Sequence, residues 1–207
     1  MSLIAGGMTK TPRPQVAPGT HVATLYRIMN LGTRFQMFEG KTKEYPDKVI
    51  RFTFEFPDSL HTFKNAEGEE KELPLVIDKE LNLTMGPKSK LRPLVEGIIG
   101  VQLKDEEAYS FDIESLLGKS CLVTVAQKES KGTMYANIIS TAPLMKGMVP
   151  PKQVNPSTVF DINTCTKEDY EALPEFLKEK VNVSDEYKKR FGTDTDSPSL
   201  EEDEVPF

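Results

Sequence analysis

Lys48-Val-Ile-Arg-Phe-Thr-Phe-Glu-Phe56 carries the clearest two-residue period in this 207-residue chain. Ile50, Phe52, Phe54 and Phe56 fall on one face of an extended segment, and Arg51, Thr53 and Glu55 fall on the other. The spacing predicts a half-buried strand. Its three Phe are expected in a core, because burial alone selects a single-faced aromatic stripe. The competing use of such a stripe is a platform on which bases stack.

Working outward, Thr20–Leu31 (THVATLYRIMNL) is rich in β-branched and apolar residues and stops at Gly32, which predicts a long first strand. Leu73–Thr84 (LPLVIDKELNLT) predicts a third, interrupted or bulged around Asp78-Lys79, after a charged turn at 64–72. Residues 87–117 change period. Leu91, Leu94, Val95, Ile98 and Ile99 recur at helical spacing, a second helical piece covers Asp105–Leu117 with Tyr109, Ile113, Leu116 and Leu117 inward, and Gly118 ends it. Two more strands follow, Ser120–Gln127 and Thr133–Thr141, joined by a turn at 128–132. The predicted fold class is therefore mainly β, a five-stranded barrel in the order β-β-β-α-β-β with its helical insert between strands 3 and 4. That is the order of the OB-fold.

Around this body, expected at 20–142, the chain predicts four appendages. Residues 1–19 form a basic, Pro-rich arm, in which Met1–Gly7 precede a second Met8-Thr-Lys and read as an added leader or an alternative start. Residues 143–165 form a Pro-rich linker, and 166–192 form two short helices with Thr166 at the first start, breaks at Pro174 and 182–184, and Tyr170, Leu173, Phe176 and Leu177 on one face. Residues 193–207 form an acidic, disordered tail with a C-terminal helical and disordered character to the whole extension. Charge follows the same division: residues 1–147 hold 19 Lys and Arg against 18 Asp and Glu, and residues 148–207 hold 7 against 14. A near-neutral body can still bind nucleic acid where its cations cluster.

In a barrel of this order, a ligand usually crosses strands two and three, flanked by the 1–2 and 4–5 loops. The first of those loops, 33–47, interleaves Arg34, Lys41 and Lys43 with Phe35, Phe38 and Tyr45, and Lys48 and Arg51 follow on the strand. The second holds Lys128 and Lys131, with Tyr135 just beyond, and a third patch at the start of the insert helix holds Lys88, Lys90 and Arg92. Cations suit backbone phosphates and rings suit unpaired bases, so the pattern points to single-stranded nucleic acid. Basic loops are also common without a ligand, and Phe35 and Phe38 could equally plug the barrel end.

Other chemistries find little support. His21 and His61 belong to no catalytic pattern, and no HExxH, GxSxG or GxxxxGK[ST] occurs, so no enzyme, catalytic residue or cofactor is expected. Cys121 and Cys165 form no metal-ligand spacing. The absence of a signal-peptide pattern or a long apolar run predicts a cytoplasmic protein with no membrane partner.

The tail ends in Glu201, Glu202, Asp203, Glu204, Val205, Pro206 and Phe207. Acidic residues followed by a stiff apolar end suit docking: Phe207 can fill a pocket while the carboxylates meet basic groups on a partner. This tip resembles the acidic tip of bacterial single-stranded DNA-binding proteins, differing in Val205, where Ile or Leu is usual, and in favouring Glu over Asp. The body is similar instead to phage-encoded OB-fold single-stranded DNA-binding proteins, through Pro18-Gly-Thr-His-Val22, Lys88-Ser-Lys-Leu-Arg92, Phe111-Asp-Ile-Glu-Ser-Leu-Leu-Gly-Lys119 and Tyr135-Ala-Asn-Ile138. The resemblance spans about residues 18–142. It implies a protein that coats single-stranded DNA without sequence preference during phage replication or recombination, in the cytoplasm of a bacterial host, and recruits replication or recombination proteins through the tip. A homodimer, through a barrel edge or the helices, is compatible with the sequence. The rival expectation is an adaptor whose barrel binds protein and not nucleic acid, and a third is a nuclease with a dispersed two-metal site.

Overall fold

A computed structural model describes residues 14–35, 37–38, 41–42, 44–64, 68–130 and 133–192. They fall into two compact units, residues 14–29 with 50–159 and residues 30–49 with 160–192. Among the described residues there are eight strands and five α-helices: β1 (Gly19–Arg34), β2 (Met37–Phe38), β3 (Lys41–Thr42), β4 (Asp47–Lys64), β5 (Glu70–Asn82), α1 (Leu91–Ile99), α2 (Asp105–Tyr109), β6 (Ser120–Ser130), β7 (Thr133–Ala142), β8 (Thr158–Asp161), α3 (Lys167–Glu171), α4 (Glu175–Asn182) and α5 (Asp185–Phe191). A short 3₁₀ turn, Ile113–Leu116, precedes β6.

The main sheet runs β5-β4-β1-β6-β7, a curled antiparallel half-barrel, and β8 pairs with β1 off that path. Five strands with α1 inserted before the fourth make an OB-like barrel, the predicted class. Its core, in the first unit, is built on the stripe that the sequence announces: Phe52, Phe54 and Phe56 are at most 1% exposed, packed with Leu25, Leu91, Leu116 and Val123. Core packing, not base stacking, claims these rings.

The second face of β4 differs from expectation. Arg51, Thr53 and Glu55 were expected toward solvent, yet Glu55 and Thr53 are 0% exposed and Arg51 is 6% exposed. Period-two alternation distinguishes two faces but does not say that the polar one meets water. Here polar partners cover it. β5 likewise runs unbroken through Asp78-Lys79, because both charges are engaged: Asp78 by Arg51 and Thr53, Lys79 by the Ile138 carbonyl.

α1 buries Leu91, Leu94, Val95 and Ile98, the i, i+3, i+4, i+7 set, and ends on Gly100 in the left-handed region. It lies close on β7: a Cβ at Gly97 would overlap the Thr141 carbonyl, so only glycine fits. Tyr109, expected inward, is 66% exposed because α2 stops there after a single turn and Leu116 fills the core instead. The β6–β7 ladder pairs Val125 with Ile138 and Thr124 with Ser140, which leaves Ile139 as a bulged, exposed residue. Gln15 extends this edge, its side chain bonding the Met134 carbonyl and the Ala136 N–H.

In the second unit three helices replace the expected two. Thr166 and Asp169 cap α3 reciprocally, Pro174 opens α4 and the Ser184 hydroxyl caps α5 by accepting from the Tyr187 N–H. Tyr170 centres their packing: its hydroxyl donates to Asn182 at 2.6 Å and its ring lies 4.9 Å from that of Tyr187. Leu177 and Val181 are buried with it, whereas Phe176 is half-exposed. Glu186 accepts from the N–H and hydroxyl of Thr33, both at 2.7 Å. Burial opposes its ionisation, but those bonds prevail and hold its carboxyl below the ordinary value.

Candidate nucleic-acid interface

The outer face of β4 and β5, where such barrels usually take a ligand, is occupied by the protein's own charges. The Arg51 guanidinium grips Asp78 through Nε at 3.1 Å and Nη2 at 2.5 Å, and reaches Glu80 through Nη1 at 2.5 Å. Thr53 donates to Asp78 at 2.6 Å and accepts from Arg27 Nε at 3.2 Å. Arg27 also lies over the Tyr26 ring, and burial raises the Tyr26 hydroxyl above its ordinary value against the opposing charge of Arg27.

Further along β4, Glu55 is sealed by the chain's later segment. Its carboxylate accepts from the Val154 N–H, the Asn155 N–H and the Asn155 side chain at 2.8, 2.8 and 2.7 Å. Gln153 braces the same segment on Asn155 and Ser157. Residues 153–157 thus form a strap over β4. With Arg27 and Arg51 set against Glu55, Asp78 and Glu80, this face offers phosphate no surplus cation.

Exposed candidates lie at strand ends and on the connections. In the first unit, register places Lys128 directly opposite Tyr135 near the end of the β6–β7 hairpin, so both project from one side; Lys128 is exposed and Tyr135 is 52% exposed. Lys128 belongs to a strand, since β6 extends to Ser130. Lys88 and Lys90 are exposed just ahead of α1. Arg92 of the same patch is not free: it pairs with Glu96 at 3.0 Å and Asp105 at 2.5 Å and donates to the Leu103 carbonyl. The Arg92 hydrogen bond, then the Leu103 N–H, holds the Glu96 carboxyl below its ordinary value.

In the second unit the expected loop 33–47 contains structure. Arg34 lies in β1 and bonds the Lys180 carbonyl at 3.4 Å, and β2 and β3 form a miniature hairpin pairing Phe38 with Lys41. Phe35 and Tyr45 are 55% and 73% exposed, and Lys41 and Lys48 are also exposed. The Phe38 side chain, Lys43, Lys131 and the whole tip Glu201–Phe207 lie outside the described residues.

The sequence reading missed Arg27, Glu55, Asp78, Lys79 and Glu80. A partial signal was present: polar residues alternate with Phe through Arg51-Phe-Thr-Phe-Glu55, and Asp78 and Glu80 stand two residues apart on the later strand, a spacing that places both on one face. Among the described residues, no group of three or more His, Cys, Asp or Glu could hold a metal ion, and no helix is long and apolar enough to cross a membrane. Burial pushes the Cys121 thiol up to about 12, far from the range of a nucleophile. Compared with protein-family models and with curated proteins, the chain matches none.

Proposed function

We propose that the chain is a sequence-nonspecific single-stranded DNA-binding protein of the phage type, which coats DNA through its OB-like body and recruits replication or recombination proteins through the acidic tip at 201–207. The observation that carries this reading is the Lys128–Tyr135 pair, a cation and a half-exposed ring directly across one hairpin. A ring beside an ammonium matches the repeating unit of a single strand, an unpaired base beside a phosphate. Exposed Phe35 and Tyr45, with Lys41 and Lys48 in the same unit, repeat that chemistry. Rings and cations read no base edge, which is why the proposed binding is indifferent to sequence. Arg51 and Arg92, both engaged by carboxylates, are assigned to the fold.

Tyr135→Ala is expected to weaken oligo-dT binding about tenfold, as loss of one stacked base would, while Tyr135→Phe binds like the unaltered protein. Fluorescence anisotropy with labelled oligo-dT measures both. Equal affinities for Tyr135→Ala and the unaltered chain would remove the hairpin from the interface.

A further inference from the structure

Lys79 faces the same side of β5 as the buried Ile77 and Leu81. Its ammonium reaches across to β7, donating to the Ile138 carbonyl at 2.7 Å and to Asn137 Oδ1 at 3.3 Å. Flanking carboxylates do not neutralise it. Asp78 and Glu80 lie on the opposite side of the strand by alternation, held in ion pairs with Arg51.

Beside this ammonium opens a cleft of about 380 Å³, lined by Lys79, Lys90, Leu94, Ile138, Ser140 and Thr141 among others. Lys90 stands immediately before α1, and among the described residues its ammonium has no hydrogen-bond or ion-pair partner. The first turn of α1 carries no acidic residue, so the positive end of the helix adds to the same potential. Two amines therefore share one cleft with no anion between them.

A structural role, closing the seam between β5 and β7, accounts for two of the three donors on Lys79. It leaves the third donor and the whole of Lys90 without a purpose. Burial, and after it the charge of Lys90, hold Lys79 below the ordinary lysine value, as expected of a cation short of a counter-charge.

We propose that this cleft is a phosphate-binding subsite in which Lys79 and Lys90 together grip one phosphate group. For the source of that phosphate the inference rests on the DNA-binding reading: the backbone of the bound strand supplies it. A free phosphate is the other source of the same chemistry, and the test separates the two.

The full chain is titrated with inorganic pyrophosphate and, separately, with oligo-dT, while backbone amide NMR shifts are followed. Both ligands are expected to move the amides of Lys90, Leu91, Ser140 and Thr141. Lys79→Met/Lys90→Met is expected to abolish the pyrophosphate shifts and to reduce the slope of log affinity against log salt for oligo-dT by about 0.7, the share of one strand phosphate. Lys90→Met alone, at an exposed position that leaves the core intact, is expected to weaken pyrophosphate binding about tenfold. It therefore keeps the test valid if the double variant does not fold. Pyrophosphate shifts without any oligo-dT binding would keep the subsite, assign it to free phosphate and defeat the DNA reading. Oligo-dT binding with an unchanged slope in Lys90→Met and no movement of these amides would overturn the subsite and leave the DNA reading standing. Silence toward both ligands would overturn both.

Discussion

Arg51→Met is expected to lower the unfolding free energy by about 3 kcal/mol, the low end of the range for breaking a buried ion pair by removing one partner. The low end applies because Asp78 and Glu80 keep 30% and 24% of their side chains exposed, so water recovers part of the loss. Met preserves the length and packing of the Arg stem. What disappears is the guanidinium fork, leaving two carboxylates two residues apart on one strand with no shared cation. In a chain of this size the loss should lower Tm by roughly 6–12 °C. Neutralising the partners as well, in Arg51→Met/Asp78→Asn/Glu80→Gln, should restore most of the stability, since a fully removed buried pair is often close to neutral. Urea denaturation of the three proteins, the unaltered chain included, checks the series. A change below about 1 kcal/mol for Arg51→Met would mean that the face behaves as open surface, and Arg51 would return to the list of candidate DNA contacts.

Glu55→Ala should cost a similar amount, about 3 kcal/mol, by orphaning the three donors that converge on this fully buried carboxylate. Glu55→Gln, which retains one carbonyl acceptor and loses the charge, should cost roughly half as much. Hydrogen exchange distinguishes this mechanism from general destabilisation. Protection of the Val154 and Asn155 amides should collapse in Glu55→Ala while that of Phe52 and Phe54 in the core persists. Persistent protection at 154 and 155 would show that the strap is held by something other than Glu55.

These two substitutions also mark where the sequence stopped being legible. The stripe Ile50–Phe56, the helical set Leu91–Ile98 and the stop at Gly118 were readable because each is a local pattern with one physical outcome. Whether Arg51 and Glu55 met water was not readable, because the answer lies at Asp78 and Glu80, on the neighbouring strand, and at Val154 and Asn155, about a hundred residues on. The apparent interruption at Asp78-Lys79 has the same cause: charges that look like strand breakers in isolation are satisfied by partners distant in sequence. Tyr109 failed for a local reason, since helical periodicity does not reveal that α2 ends after one turn.

The candidate interface divides in the same way. Tyr135, Lys128, Phe35 and Tyr45 were identifiable as rings and cations in or beside predicted connecting segments, and all four are exposed. Arg51 and Arg92 were chosen on residue type alone, which does not reveal that carboxylates already hold them. Lys79 was hidden by its setting in an apolar strand, where only the fold brings it to the same cleft as Lys90.

The most direct test of the central claim is a titration of fluorescent oligo-dT with the intact protein at two salt concentrations, with duplex DNA of equal length as competitor. Tight binding is expected that weakens as salt rises, by a log–log slope of about 0.7 for each strand phosphate contacted, and that duplex displaces poorly. Absence of binding at low salt would contradict it, and the OB-like body would then be read as the protein-binding half of an adaptor.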